Sequence, residues 1–298
     1  MREISALTKR NIKLFFKDKV VFFTSLITPA ILLVLYATFL KNVYEDSFKD
    51  ALGEASLISK KAIDGLVGGQ LVSSILAVSC VTVSFCSNMI MVQDKANGTV
   101  WDLTVSPVKS SVLALSYYIA TLTSSLIICF GGMIICLTYI GVTGWYLSVA
   151  DVLFLMLDVF LLVMFGTALS SIIGYFLSSQ GQISAVGTII SSGYGFICGA
   201  YMPISQFSPT LQKVISLLPG TYGTSIVRNH SMRGALSQMS SEGVPDEALE
   251  ILKDVVDCNL YFFGEKVEIY QMYAVLVTTV ALLVAVYVLM NVRKRSAK

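Results

Sequence analysis

LVGGQLVSSILAVSCVTVSFCSNMIMV, residues 66–92, runs without a single charged side chain. Wound as a helix it would be about 40 Å long at ~1.5 Å per residue, more than the ~30 Å hydrocarbon core of a bilayer. QDKANGTVWDLTVSPVKS, residues 93–110, follows at once with charges, the turn pair Asn97-Gly98, a tryptophan and a proline. Another apolar run then begins. A long uncharged run that ends in a short polar hinge reads as a chain leaving a membrane and turning back into it.

Working outward, apolar runs of comparable length occupy 20–40, 112–140, 152–177, 183–202 and 270–292. The chain has 298 residues, is 55% hydrophobic and only 13% charged, where soluble domains carry about 25% charge. The prediction is an all-α polytopic membrane protein with six transmembrane helices, forming one unit over 1–298 and leaving little room for a soluble catalytic domain. The N-terminus lacks the short apolar core and small-residue cleavage site of a secretory leader.

An even number of spans puts both termini on one side. Arg2, Lys9, Arg10, Lys13, Lys17 and Lys19 precede the first span, Lys95 and Lys109 flank the hinge, and Arg293, Lys294, Arg295 and Lys298 follow the last. The remaining basic residues are spread through longer segments rich in acids. The crowding at span ends predicts cytoplasmic termini and a cytoplasmic 93–110 loop in the plasma membrane. Within the arm 1–19, Ile4, Leu7, Ile12, Leu14, Phe15 and Phe16 wind to one side. Arg2, Lys9, Arg10, Lys13 and Lys17 wind to the other, as in a helix lying on an anionic membrane surface.

Small residues recur every fourth position at Gly166, Ser170, Gly174 and Ser178, and at Gly187, Ser191, Gly195 and Gly199. That spacing lets helices approach closely, within one chain or between two. Ser73, Ser74, Ser79, Thr82, Ser84, Ser87 and Asn88 make the second span polar. They suit either bonding to their own helix or lining a passage. Asp151 is placed to cap the fourth span. Pro203 is expected to stop the fifth. Pro209 opens an apolar stretch too short to cross, and Pro219-Gly220 breaks it, so 203–269 is predicted as re-entrant or surface-lying helices followed by a small polar outer segment. Within that segment PDEALEILKDVVDC reads as a short helix with Leu249, Leu252 and Val256 on one side.

Chemistry-bearing motifs are sparse. The phosphate-binding pattern G-x-x-x-x-G-K-[ST] is missing. The single histidine, His230, reads as an ordinary loop residue. Cys80, Cys86, Cys129, Cys136 and Cys198 fall in spans as packing residues, while Cys258, in an outer loop, raises the alternative of cross-linking a second copy. No cofactor, metal site or nucleic-acid surface is expected. Asp158 stands out inside the fourth span, where a carboxylate facing lipid costs about 2.5–3.5 kcal/mol. It must face protein or water, as a hydrogen-bonded packing residue or as a proton or substrate contact.

The hinge, with Asp94, Gly98-Thr99, Trp101, Leu103 and Ser106-Pro107-Val108, resembles the first cytoplasmic loop of ABC type-2 exporter permeases. Asp94 and Trp101 stand where glutamates are more usual. Gly199-Ala-Tyr-Met-Pro203, with Leu218-Pro219 and Arg228 after it, is similar to the end of the fifth span and the outer helices of the same family. The resemblance implies a bacterial permease without catalytic residues. Two copies of a separate ATPase subunit would bind ATP and Mg, and a second permease chain, identical or related, would complete the transporter. Asp94, Gly98, Thr99, Trp101, Leu103 and Pro107 would then couple to the ATPase. Phe85, Asn88, Ser192 and Tyr194 would line the pathway, and Tyr201, Met202, Pro203 and Pro219 would form the outer gate. The implied cargo is an amphipathic drug, antimicrobial or lipid-like molecule, with lipid-linked polysaccharide or teichoic acid as the alternative. An ion-coupled carrier using Asp158 is the competing class.

Overall fold

A computed structural model describes residues 2–36, 38, 41–52, 59–105 and 108–296. Ser106 and Pro107 of the hinge lie outside the described residues. Helix α1 (Arg2–Lys17) meets α2 (Lys19–Leu35) at a bend of 71°. Asp18 makes the corner: its Oδ1 accepts from the amides of Val20 and Val21 at 3.0 and 3.2 Å, which caps α2. A short helix, α3 (Lys41–Leu52), then precedes the central element α4 (Lys60–Ala96).

At 37 residues, α4 is about 55 Å long and projects beyond any bilayer. It is the axis of the fold. Around it stand α1, α2, α6 (Ser110–Thr143), α7 (Val149–Phe176), α8 (Gln180–Ile197) and α10 (Pro219–Ser241). The seven-residue α5 (Thr99–Val105) links α4 to α6, and α12 (Ile269–Ser296) closes the bundle on α7, α10 and α6. Helices α9 (Pro209–Ile215) and α11 (Asp246–Val255) and the hairpin β1 (Leu260–Phe262) with β2 (Glu265–Val267) complete the chain. Leu249, Leu252 and Val256 are buried along one side of α11 and its end.

Among the described residues four helices, α4, α6, α7 and α12, are long and apolar enough to cross a membrane, or five crossings if the bent α1–α2 pair is one span. The protein is therefore an all-α, multi-pass membrane protein. The predicted fifth span, 183–202, is shorter than expected. Its helix ends at Ile197, and Gly199, with φ +72°, turns the chain out before Pro203 is reached. At 18 residues α8 spans only about 27 Å.

The largest departure is α10. Residues 219–241 form one continuous, mostly buried helix that runs well into the stretch expected as a small polar outer segment. Its hydroxyls are satisfied internally. Ser231 Oγ donates to Gly69 O at 2.9 Å, Ser225 Oγ to Cys258 O at 3.0 Å and Thr224 Oγ1 to Gly220 O at 3.0 Å. A helix that buries polar groups in this way is invisible to hydropathy. Cys258 is buried beside Met232, which removes the alternative of a cross-link to a second copy.

The small-residue stripe of α7 packs within the chain. A Cβ on Gly166 would stand 3.0 Å from Cys80 O and from Val81 Cα, both backbone atoms of α4. Half of the α4 hydroxyls, those of Ser73, Thr82 and Ser84, bond to carbonyls of their own helix. Gly166→Val is expected to lower stability by about 1–3 kcal/mol through overpacking. Gly193→Ala, where a Cβ meets nothing within 4 Å, should leave the melting temperature of the detergent-solubilised protein unchanged or slightly raised.

Candidate functional site

Three regions along the bundle gather the residues of interest: the α5 end, a groove beside α4, and the opposite end. At the α5 end, Asn97 caps α4 and Gly98, at φ +78°, reverses the chain in a conformation that costs a side-chain residue more. Helix α5 starts with the Trp101 amide donating to Gly98 O at 2.8 Å. Asp102 sits in its first turn, where a negative charge meets the positive end of the helix. Trp101 is 65% exposed, whereas Leu103 packs on the core. The resemblance implies a coupling role for both, but their settings differ. Trp101 projects and Leu103 anchors.

The base of this element is clamped on two sides. Asp94 accepts from Arg10 Nη1 of α1 at 2.7 Å and from the Tyr117 hydroxyl of α6 at 2.5 Å. Arg10 therefore leaves the free basic face predicted for the arm and turns inward. Lys95 Nζ donates to Gly174 O and Tyr175 O, at 2.7 and 3.0 Å, and so caps the end of α7. Lys95, which carried only topology in the sequence reading, is a structural clamp; its place one residue after Asp94, at the hinge's start, was the available signal. The end of α4 from which α5 departs is thus tied to α1, α6 and α7 together.

An open groove of about 1040 Å³ lies between α2, α4 and α8. Val21, Ile27 and Ile31 form its apolar wall, and Thr188, Ser191 and Ser192 give α8 a polar edge. Ser192 lines this groove, and Phe85, Asn88 and Tyr194 lie elsewhere. Asn88 Nδ2 donates to Ser170 O of α7 at 2.6 Å, Phe85 is buried inside the bundle, and the Tyr194 side chain lies against Gly220 at the start of α10. Because α4 is surrounded, its other sides are spoken for, and it offers Cys86, Met89 and Gln93 to the groove instead. The polar edge of α8 repeats at Ser184, Thr188 and Ser191–Ser192, a helical spacing that was present in the sequence.

The far end of the groove is closed by Tyr201, whose ring lies over Gly195 and whose hydroxyl donates to Ser191 O at 3.3 Å. Met202 is half-buried beside it, Pro203 precedes a single 3₁₀ turn (Ile204–Gln206), and Pro219 is the first residue of α10. A buried ion pair holds this end. Arg228 Nη2 donates to Gly199 O at 2.9 Å and Nη1 to Asp257 Oδ2 at 3.3 Å, while the same carboxylate oxygen accepts from the Ile204 amide at 2.7 Å. Burial pushes the Asp257 carboxyl up to about 6, against the pull of Arg228.

Nearby, Asp158 does face protein. Its Oδ2 meets His230 Nδ1 at 2.6 Å, and its Oδ1 accepts from the Tyr273 hydroxyl. His230 is not a loop residue. It is buried in α10 and stacks on Phe154 of α7 with ring centroids 4.9 Å apart. Ser148, not Asp151, is the N-cap of α7; Asp151 completes a capping box and also pairs with Arg233 of α10 at 2.5 Å. Acids and bases far apart in the chain are therefore brought together at this end.

A family profile described as ABC-2 type transporter matches residues 2–230. No curated protein matches the chain. The matched region takes in the bent arm, the clamped α5 element, the groove and the first half of α10. The chain belongs to the ABC-2 type transporter family.

Proposed function

We propose that this chain is the membrane subunit of an ATP-driven exporter, and that α5 is where a separate ATPase grips it. The observation that carries this reading is the clamp. A short polar helix with an exposed Trp101 is tied rigidly, through Asp94 and Lys95, to α1, α6 and α7. An ordinary surface loop has no need of such anchoring. Two ATPase copies, holding ATP and Mg, would act on two permease chains whose α2–α8 grooves face one another across the cargo path. Six crossings follow if α1 lies in the interface, α2 spans, and the short α8 crosses with its ends drawn in. Both termini and α5 are then cytoplasmic, and α9–α11 stand outside. An apolar groove with a polar hydroxyl edge suits an amphipathic cargo.

The test is co-purification of the full chain with its ATPase partner. Trp101→Glu is expected to reduce recovery of the ATPase and transport by at least tenfold, while the permease itself stays folded, because Trp101 is exposed. Leu103→Glu should also lose the complex, but through disturbed seating of α5. Wild-type transport with no ATPase subunit bound would overturn the reading. A second reading, an ion-coupled carrier, draws on the buried Asp158–His230 pair.

A further inference from the structure

A second groove, of about 690 Å³, lies between α1 and α6. Ile4 and Ile12 of α1 and Leu115 and Ile119 of α6 give it apolar walls, and Lys9 stands at its rim. Thr8 also lines it, with its Oγ1 turned away from the open space and buried. On the helical wheel of α1, Arg2, Lys9 and Lys13 form a stripe along the same border. Arg10 is not available to this stripe, being engaged by Asp94.

We infer that this groove is a binding site for one anionic phospholipid of the leaflet that α1 rests on. An acyl chain fills the space between Ile12, Leu115 and Ile119. The phosphate meets the exposed Lys9 ammonium at the rim. Charge and shape agree on this occupant. The walls are apolar where a chain would lie, and cationic only at the rim where a headgroup would sit. A free phosphate would gain the rim and nothing from the walls, and a zwitterionic lipid would gain the walls with little net attraction at the rim. Such a lipid would wedge α1, the helix whose Arg10 holds Asp94, against α6. Lipid composition would thereby bias the coupling element.

This site rests on α1 being the interfacial helix of the exporter reading, but its test needs no ATPase, so the two can fail separately. Full-length protein in detergent is titrated with phosphatidylglycerol, phosphatidylcholine or inorganic phosphate, with bound lipid counted by native mass spectrometry and thermal stability followed in parallel. Phosphatidylglycerol should bind at one site and raise the melting temperature, whereas phosphatidylcholine and phosphate should do neither. Lys9→Gln should weaken binding about fivefold, the effect of one cation near a surface. Ile119→Trp, which fills the groove, should abolish it, and Lys17→Gln should leave it unchanged. Equal binding of phosphatidylcholine, or wild-type binding by both Lys9→Gln and Ile119→Trp, would overturn the proposal. So would a dimer that is lost in Ile119→Trp without any change in lipid, since that outcome assigns the groove to a second copy.

Discussion

Arg228→Met is expected to lower the stability of the folded protein by about 3–5 kcal/mol, the usual cost of removing one partner from a buried ion pair. Arg228 is 1% exposed, and its guanidinium bridges α10 to Gly199 and to Asp257. Methionine fills much of the volume but leaves Asp257 buried with the backbone amides of Ile204 and Ser205 and no cation. The pH dependence identifies the cause. With its carboxyl raised to about 6, Asp257 contributes stability that is fully present below its unfolded value near 4 and is lost as pH rises through about 6. Without Arg228 the carboxyl rises further. The deficit of the variant should be largest at pH 7.5 and should shrink at pH 5, where the acid is neutral. Adding Asp257→Asn should restore part of the loss at pH 7.5. Thermal melts at the two pH values are the measurement, and an equal deficit at both would mean that Arg228 acts through packing alone.

Asp158→Ala carries the second large effect, again about 3–5 kcal/mol, because it strips a partner from His230 and Tyr273 in a site closed to water. Asp158→Asn separates structure from transport. The amide keeps an acceptor for Tyr273 and a polar contact for His230, so the cost should fall to about 1–2 kcal/mol. In an ATP-driven exporter, cargo efflux by this variant should match the wild type from pH 6 to pH 8. In a proton-coupled carrier it should collapse while the protein remains folded. Efflux from vesicles, measured across that pH range with ATP supplied or withheld, decides between them.

Both residues also show how far the sequence could be read. The isolated Asp158 in an apolar run was conspicuous because a bare carboxylate in lipid is costly. Its partner was not conspicuous. His230 sits in a stretch of Asn, Ser, Met and Arg that has no hydropathic period, and it lies 72 residues away along the chain. The turn before α5 was legible, because Asn97-Gly98 demands one, and the structure adds a helix over 99–105. Its anchoring was legible only in part. Asp94 was singled out, but Arg10, 84 residues distant, was assigned to the solvent face by a wheel that treats α1 as if alone.

The wall of the groove shows a different limit. Phe85 and Asn88 were placed on a pathway by the resemblance alone, since periodicity cannot choose among faces of a helix that is wholly surrounded. Only neighbouring helices make that choice, and here α7 takes Asn88 while α2 and α8 leave Met89 and Gln93 open.

By itself the sequence determined the membrane class, the long apolar elements and the polar hinge between the second and third of them. Each of these follows from local length, hydropathy and turn chemistry, which neighbours along the chain set among themselves. The tertiary structure alone decided that 219–241 is a buried helix, that Asp158 and Arg228 are paired, and which side of α4 meets the groove. Those outcomes depend on polar groups satisfying one another across helices far apart in the chain, and a buried polar residue with a partner has the same letters as an exposed one without.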